Sequence, residues 1–272
     1  MRVRELSAPA VVSSLAFAAA VACSSGSGGT TPVEPVEPGV DAGRTDAQPE
    51  ADAAFTGPTQ TGRVIDAVGK DGVMAAVVTI GDKSVTTKDD GTYAIGITKD
   101  VPTRMSITAP DHYKLNEQEW IVRSELFARA DTSLLSNSTA GLLATFLPAR
   151  DPAKGILAVR IYPLAPCTSE AGATIAIEPA GAAQVTYFAG GLPSKTATVT
   201  SKGETFAAIF TNVDPGVPIK VVVSSPTCEQ LAFPIDYDGV TLTGVQKVET
   251  GDVVSFIRVF LGPQKIADSG AD

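Results

Sequence analysis

The sequence predicts an all-β protein built from two tandem β-sandwiches, and three observations support this fold class. Short apolar runs alternate with polar residues at the two-residue period of half-buried strands. Clusters of Gly, Asp, Lys and Pro separate these runs, as turns do. A similar order of strands and turns occurs twice, in residues 58–122 and again in residues 151–262. Short strands at such spacing are typical of a β-sandwich.

The first segment, residues 58–122, contains three clear strand patterns. They cover residues 62–66, 75–80 and 92–98. The sequences between them favour turns because Gly and Asp tolerate the backbone angles that turns require. These turn sequences are GKDG at 69–72, DK at 82–83 and DDG at 89–91.

The second segment, residues 151–262, follows the same style. Its predicted strands are 156–162, 173–177, 184–188, 205–211, 219–223 and 253–261. Each segment opens with a Gly and contains a turn with Thr and Gly, which leads to Tyr93 in the first segment and to Phe206 in the second. In both segments a Val-Pro then precedes a strand that ends in Pro. We interpret the two segments as related units, with Tyr93 and Phe206 as core residues.

Several motifs of the first segment resemble the carboxypeptidase regulatory-like domain. They are GRV at 62–64, AVVTI at 76–80, TTKDDGTY at 86–93 and APDHY at 109–113. The resemblance covers residues 61–122 and is looser in the second segment. It implies a transthyretin-like, Ig-like sandwich of the kind appended to exported proteins as a spacer or binding module. Such a module carries no catalytic residues of its own.

The N-terminus has the features of an export signal. Arg2 and Arg4 precede an apolar, small-residue run over 8–22, as in a secretory signal, and this run is shorter than the about 20 apolar residues that span a bilayer. The sequence AVAC at 20–23 resembles the lipobox of bacterial lipoproteins, although Leu is more usual than Ala20. The resemblance implies removal of residues 1–22 and acylation of Cys23 with chains such as palmitate. A free cysteine behind an ordinary export signal is the alternative.

The residue after this cysteine is Ser24 rather than Asp. By resemblance to lipoprotein sorting in Gram-negative bacteria, this choice implies delivery to the outer membrane. Acyl chains contribute about 0.8 kcal/mol per buried methylene, so several of them hold a protein on a membrane without a spanning helix. We therefore expect a lipid-anchored protein of the cell envelope.

Residues 23–57 have the composition of a disordered tether. They are rich in Ser, Gly, Pro, Thr and Ala and include the repeat PVEPVEP at 32–38, which favours extended polyproline II. Six acidic residues against Arg44 give this stretch −5 of the formal net charge of −9. The acidic balance excludes the basic footprint of a nucleic-acid-binding protein. The expected partners are the membrane, through the anchor, and an envelope protein or extracellular polysaccharide.

The cysteines predict one disulfide. If Cys23 is acylated, Cys167 and Cys228 remain as a pair, and an exported protein lies in an oxidising compartment. Two buried free thiols are the alternative. A zinc site is not expected, because His112 is the single histidine and cannot complete a Cys/His ligand set.

The connector, residues 123–150, breaks the strand pattern, as do the residues just before it from 114 onward. It allows a short helix with Asn137 or Ser138 as N-cap and Pro148 beyond its end. Such a helix would bridge the sandwiches through Leu142, Leu143, Phe146 and Leu147. A final strand followed by an irregular crossover is the alternative, and residues 263–272 form a C-terminal tail.

No catalytic residue, metal or cofactor is predicted. His112 precedes Tyr113 in an expected loop, and Asp89, Asp90, Asp236 and Asp238 are typical of turns. Trp120 and Tyr113 are candidate ligand contacts in an exposed patch, or Trp120 packs between the sandwiches. The leading hypothesis is a non-catalytic structural, adhesive or protein-binding lipoprotein. Binding of a carbohydrate or solute is the alternative, and a hydrolase that uses His112 is a third.

Overall fold

The predicted all-β fold class is confirmed by the computed structural model, which describes residues 57–124 and 126–264. Cys23, the export signal, the tether and residues 265–272 lie outside the described residues. Strands and turns fill nearly all of the described chain, with one helix between the two predicted segments. No helix within the described residues is long and apolar enough to cross a membrane.

The first half of the described chain contains nine strands and then the helix. Their bounds are β1 Thr59–Asp66, β2 Val77–Ile80, β3 Lys83–Thr86, β4 Thr92–Gly96, β5 Met105–Thr108, β6 Lys114–Glu117, β7 Trp120–Val122, β8 Leu126–Ala128, β9 Thr132–Leu134 and α1 Asn137–Ala144.

The second half of the described chain contains eleven more strands. They are β10 Gly155–Pro163, β11 Thr174–Glu178, β12 Gln184–Ala189, β13 Leu192–Ser194, β14 Ala208–Val213, β15 Pro218–Ser224, β16 Cys228–Gln230, β17 Ile235–Tyr237, β18 Val240–Leu242, β19 Gln246–Lys247 and β20 Val253–Gln264.

One large sheet runs through both halves. Within the described residues it contains ten strands, in the order β13-β12-β14-β10-β20-β6-β5-β2-β3, with β16 also paired to β20. The last strand, β20, lies at the centre and pairs in parallel with β10 on one side and with β6 on the other. The C-terminal strand therefore joins the two predicted segments through backbone hydrogen bonds.

Each half buries an apolar core against this sheet. In the second half, Leu157, Val159 and Ile257 of the large sheet pack with Ile175 and Val221 of the smaller β11-β15-β19 sheet. In the first half, side chains of β2 and β5 pack with those of β1 and β4. The prediction that Tyr93 is a core residue is confirmed, since it is 4% exposed.

Residues 114–136 correct the predicted break in the strand pattern. They contain β6, β7, β8 and β9, each only three or four residues long. Strands this short show little alternation, and Glu117 in β6 is buried although its residue type favours the surface. The pattern therefore missed strands whose pairing depends on residues far along the chain.

The predicted helix is confirmed as α1, with two corrections. Its N-cap is Ser136 rather than Asn137 or Ser138. Leu142 is 61% exposed and does not bridge the two halves, whereas Leu147 packs beside Ile156 and Phe188 of the second half.

The predicted disulfide between Cys167 and Cys228 is confirmed. Cys167 follows β10, and Cys228 opens β16 just after β15, so the bond ties together two chain segments 61 residues apart in sequence. Both cysteines are buried in the core of the second half.

Candidate functional site

A cavity of about 370 Å³ lies against the large sheet where the two halves meet. Its floor consists of side chains from neighbouring strands of the sheet: β6, β20, β10, β14 and β12. Its cover comes from β7, β17 and β18, from residues 129–135 and from Leu143 of α1. Pockets of this size, largely apolar with a few convergent polar groups, are typical of small-molecule sites.

The register of the three central strands places charged side chains together on the cavity floor. Side chains alternate between the faces of a strand, and β20 presents Val254, Phe256 and Arg258 to the cavity. Arg258 lies directly beside Arg160 of β10, and Phe256 lies beside Glu117 of β6. Two arginines are thus immediate neighbours on adjacent strands.

Glu117 forms the centre of a buried ionic network. Its carboxylate accepts a hydrogen bond from Arg129 Nη2, and Arg258 Nη2 lies 3.4 Å from its Oε1. The Glu117 side chain is 2% exposed and that of Arg129 is 6% exposed. Burial by itself raises the pKa of Glu117, but the two guanidinium groups outweigh it and hold the pKa below its ordinary value of 4.5. The carboxylate therefore stays ionised inside the protein.

Arg258 is stabilised in its charged form by the same surroundings. Burial lowers its pKa, whereas Glu117 and Tyr162 raise it, and the net shift is upward. The guanidinium carbon of Arg258 lies 5.2 Å from the ring centroid of Phe256. That of Arg160 lies 4.7 Å from the ring centroid of Tyr162, within the range of a cation–π contact.

Aromatic rings form much of the remaining wall. Tyr237 is 5.4 Å from Tyr162 and 4.8 Å from Phe260, measured between ring centroids. Phe206 meets Phe256 edge to face at 6.0 Å. Burial and the neighbouring Tyr162 raise the pKa of Tyr237, so its hydroxyl is neutral at ordinary pH. The predicted core residue Phe206 is only partly buried and precedes β14, where it lines the cavity.

The two candidate ligand contacts from the sequence, Trp120 and Tyr113, both line this cavity. Trp120 is 1% exposed, so the expected exposed patch is not present at this residue. It lies in β7 opposite Leu242 of β18, which matches the alternative of a tryptophan packed between the halves. Tyr113 is partly buried, with the Arg150 guanidinium carbon 5.9 Å from its ring centroid. Ligand contact by either residue stays a prediction.

The charged residues of the cavity were not singled out from the sequence. Arg160 and Arg258 each interrupt a strand that is apolar on both faces, ILAVRIY at 156–162 and VVSFIRVFL at 253–261. Such an interruption is a usable signal, because charged residues are rarely buried without a partner. Glu117 and Arg129 had no comparable signal, since the strands around them are too short to show a pattern.

Both ring nitrogens of His112 lie close to polar groups of the surrounding chain. Its Nδ1 is 2.7 Å from the carbonyl oxygen of Pro110, and its Nε2 is 3.5 Å from Oδ2 of Asp66. The hydroxyl of Ser136, the residue that pairs with His112 in an isolated β-bridge, donates to Thr139 Oγ1 at 2.9 Å.

Asp90 serves its predicted turn, whereas the turn prediction is wrong for Asp236, which lies in β17. Oδ1 of Asp90 accepts hydrogen bonds from the backbone nitrogen and the hydroxyl of Thr92, at 2.9 and 2.6 Å. Asp236 Oδ1 accepts one from Thr241 Oγ1 at 2.5 Å. In the part of the chain that the structure describes, no three His, Cys, Asp or Glu side chains are grouped to hold a metal ion.

Comparisons with known proteins found only distant similarity. The Bacillus anthracis TIE protein aligns at 10% identity over 75% of this chain and 34% of that chain, with a TM-score of 0.24. The minor pilin GBS52 of Streptococcus agalactiae aligns at 8% identity over 79% and 100%, with a TM-score of 0.22. A DUF3823 family protein from Parabacteroides merdae aligns at 8% identity over 71% and 98%, with a TM-score of 0.21. No family model and no curated protein matches the chain.

Proposed function

We propose that this chain is a non-catalytic lipoprotein of the cell envelope, anchored through Cys23, that presents its β-structure in a structural, adhesive or protein-binding role. In this proposal residues 61–122 are a carboxypeptidase regulatory-like module, and the acidic tether holds the described part clear of an outer-membrane surface. The proposal extends to an envelope protein or an extracellular polysaccharide as the partner.

The continuous sheet is the observation that supports this role best. β20 pairs with β10 over residues 156–163 and with β6 over residues 114–117. Parallel pairing at the centre of a sheet fixes both halves by many backbone hydrogen bonds at once. A rigid sheet of this kind suits a protein that presents a binding surface or carries mechanical load. By contrast, His112 and Asp90 are engaged in local structural contacts.

The anchor is tested by the intact mass of the protein extracted from membranes, with Cys23→Ala as the matched variant. We expect the wild-type chain to begin at Cys23 and to carry three acyl chains. We expect the variant to lack the added mass and to leave the membrane fraction. A wild-type chain that begins elsewhere and carries no lipid would contradict the proposal.

The non-catalytic character is tested with His112→Ala. We expect the wild type and this variant to give the same background rates against a panel of ester, peptide and glycoside substrates. A rate that is present in the wild type and lost in His112→Ala would instead support the hydrolase hypothesis.

The cavity favours a second candidate function, the binding of a solute. Its mixture of aromatic walls and convergent charged groups is the composition of a small-molecule site. This candidate is compatible with the anchored role and does not depend on it.

A further inference from the structure

We propose that the cavity binds a small organic anion with a flat apolar body, with its acidic group held by Arg160 and Arg258 and its body between the aromatic side chains. This inference deepens the solute-binding candidate. It does not rest on lipidation of Cys23 or on the structural role.

The cavity floor carries an excess of positive charge. Arg160 and Arg258 are partners in register on adjacent parallel strands, and like charges in this position destabilise a sheet. Glu117 offsets only part of this charge, because Arg129 and Arg258 already share its carboxylate. Within the described residues no carboxylate lies at ion-pair distance from Arg160.

The other carboxylates that line the cavity do not complete the balance. Asp131 is half-exposed, and its carboxylate lies 3.8 Å from Arg63, a residue that does not line the cavity. Asp238 is exposed in the turn between β17 and β18. Among the buried and partly buried charged groups of the lining, three guanidinium groups therefore face one carboxylate. An anionic ligand would supply the missing charge.

The guanidinium groups of the floor have a geometry that suits an organic acid. A guanidinium is planar and donates two parallel hydrogen bonds to a carboxylate, which makes it well suited to an organic acid. Arg160 and Arg258 are each held against a ring, Tyr162 and Phe256, so their positions are limited before a ligand arrives. Prior ordering reduces the entropy cost of binding.

The remaining wall of the cavity is largely aromatic. Phe206 and Tyr237 join these rings around the cavity, and aromatic side chains favour flat apolar partners through stacked or edge contacts. A small inorganic anion would leave most of this wall without a contact. The cavity therefore fits an aromatic carboxylate better than free phosphate.

The test is a titration calorimetry series with three probes of matched shape: 2-naphthoate, neutral 2-naphthamide and cationic 2-naphthylmethylamine. The protein is the full-length chain with Cys23→Ala, so that the result does not depend on the lipid. We expect 2-naphthoate to bind at least about tenfold more tightly than 2-naphthamide, a difference of about 1.4 kcal/mol. We expect the weakest binding from the cationic probe.

Two variants and one control identify the groups responsible. Arg160→Gln should reduce the preference for 2-naphthoate over 2-naphthamide to less than about threefold, because it removes the unpaired charge. Phe206→Leu should weaken both probes by a similar factor, since it shortens the wall without changing charge. Lys220→Gln is the matched control, because this lysine is exposed and pairs with Glu178 away from the cavity, and it should leave both affinities unchanged.

The fold of each variant is checked by circular dichroism, and Arg160→Gln should also keep or raise the thermal midpoint, because it relieves repulsion with Arg258. Equal affinity for the three probes, or no binding of 2-naphthoate up to its solubility, would overturn the proposal. Persistence of the full preference in Arg160→Gln would overturn it as well. An unlipidated wild-type chain would remove the anchor proposal and leave this one intact.

Discussion

Glu117 is buried because two guanidinium groups meet its carboxylate. An ionised carboxylate taken out of water costs several kcal/mol, and only close opposite charges and hydrogen bonds offset that cost. Arg129 and Arg258 supply both, from the loop between β8 and β9 and from β20. The network therefore connects Glu117 with Arg129, 12 residues along the chain, and with Arg258, 141 residues along the chain. Arg129 and Arg258 depend on Glu117 in turn.

Glu117→Gln is expected to lower the free energy of unfolding by about 3–5 kcal/mol, because it leaves two buried cations without their partner. Equilibrium denaturation in urea measures the change. Glu249→Gln is the matched control, since Glu249 is 52% exposed and pairs with Lys114 at the surface, where a salt bridge contributes less than about 1 kcal/mol. Equal effects of the two substitutions would show that the buried network does not stabilise the fold.

The same carboxylate predicts a pH dependence. Its pKa in the folded protein lies below the ordinary value of 4.5, so below about pH 4.5 the unfolded chain binds the proton more readily than the folded protein. The stabilisation by Glu117 is therefore complete above that pH and is lost as the pH falls through the folded pKa. We expect the stability difference between the wild type and Glu117→Gln to be constant from pH 7 to pH 5 and to shrink in more acidic solution.

Urea titrations of both proteins across this pH range test that expectation. Asp66 and Asp90 also have lowered pKa values, because they accept hydrogen bonds from Gly69 and Thr92 respectively. Both aspartates are present in the wild type and in Glu117→Gln. Their contribution therefore cancels in the difference. A difference that stays constant down to pH 2 would mean that Glu117 is not the group responsible.

At the residue scale, the disulfide was predictable from the sequence and the ionic network was not. Cys167 and Cys228 could be paired by counting and by the expected compartment, without any knowledge of the fold. Glu117 and Arg258 could not be paired in this way, because their contact depends on the parallel register of β6 and β20. That register is a property of the assembled sheet.

The strands show the same division at the scale of elements. The largely apolar run over residues 253–261 predicted a strand, and β20 covers Val253–Gln264. Its central position was not predictable, since both of its faces are apolar and neither identifies its neighbours. Parallel neighbours also lie far apart in sequence, so local patterns carry no information about them.

Two glycines with different surroundings allow a prediction about local elements. Gly141 lies inside α1, and a methyl group there would meet no atom within 4 Å, so Gly141→Ala should raise stability by about 0.5–1 kcal/mol through helix propensity. Gly72 lies against the backbone carbonyl of Asp90, and Gly72→Ala should lower stability because the turn must shift. Thermal unfolding of both variants measures the contrast, and a stabilising Gly72→Ala would contradict the described packing of this turn.

At the scale of the whole molecule, the two predicted segments share one sheet and one cavity. The first half contributes Glu117 and Trp120, and the second half contributes Arg160, Tyr237 and Arg258. Neither half contains the cavity by itself. The domain boundaries drawn from the sequence at residues 122 and 151 stay a prediction, because repeated turn patterns indicate related units without showing whether they unfold separately.

Removal of the disulfide tests whether the halves unfold together. Cys167→Ala with Cys228→Ala opens a loop of 61 residues and should destabilise the folded state by about 4 kcal/mol in the chain-entropy model. Because β20 is hydrogen-bonded to both halves, we expect the whole described fold to open together. In the variant without the disulfide, protected amides of β4 in the first half and of β11 and β15 in the second half should all exchange about a thousandfold faster than in the wild type. Hydrogen exchange followed by mass spectrometry measures all three strands in one experiment. Faster exchange confined to β11 and β15 would instead show two separate folding units, and the shared sheet would then be a docked interface between them.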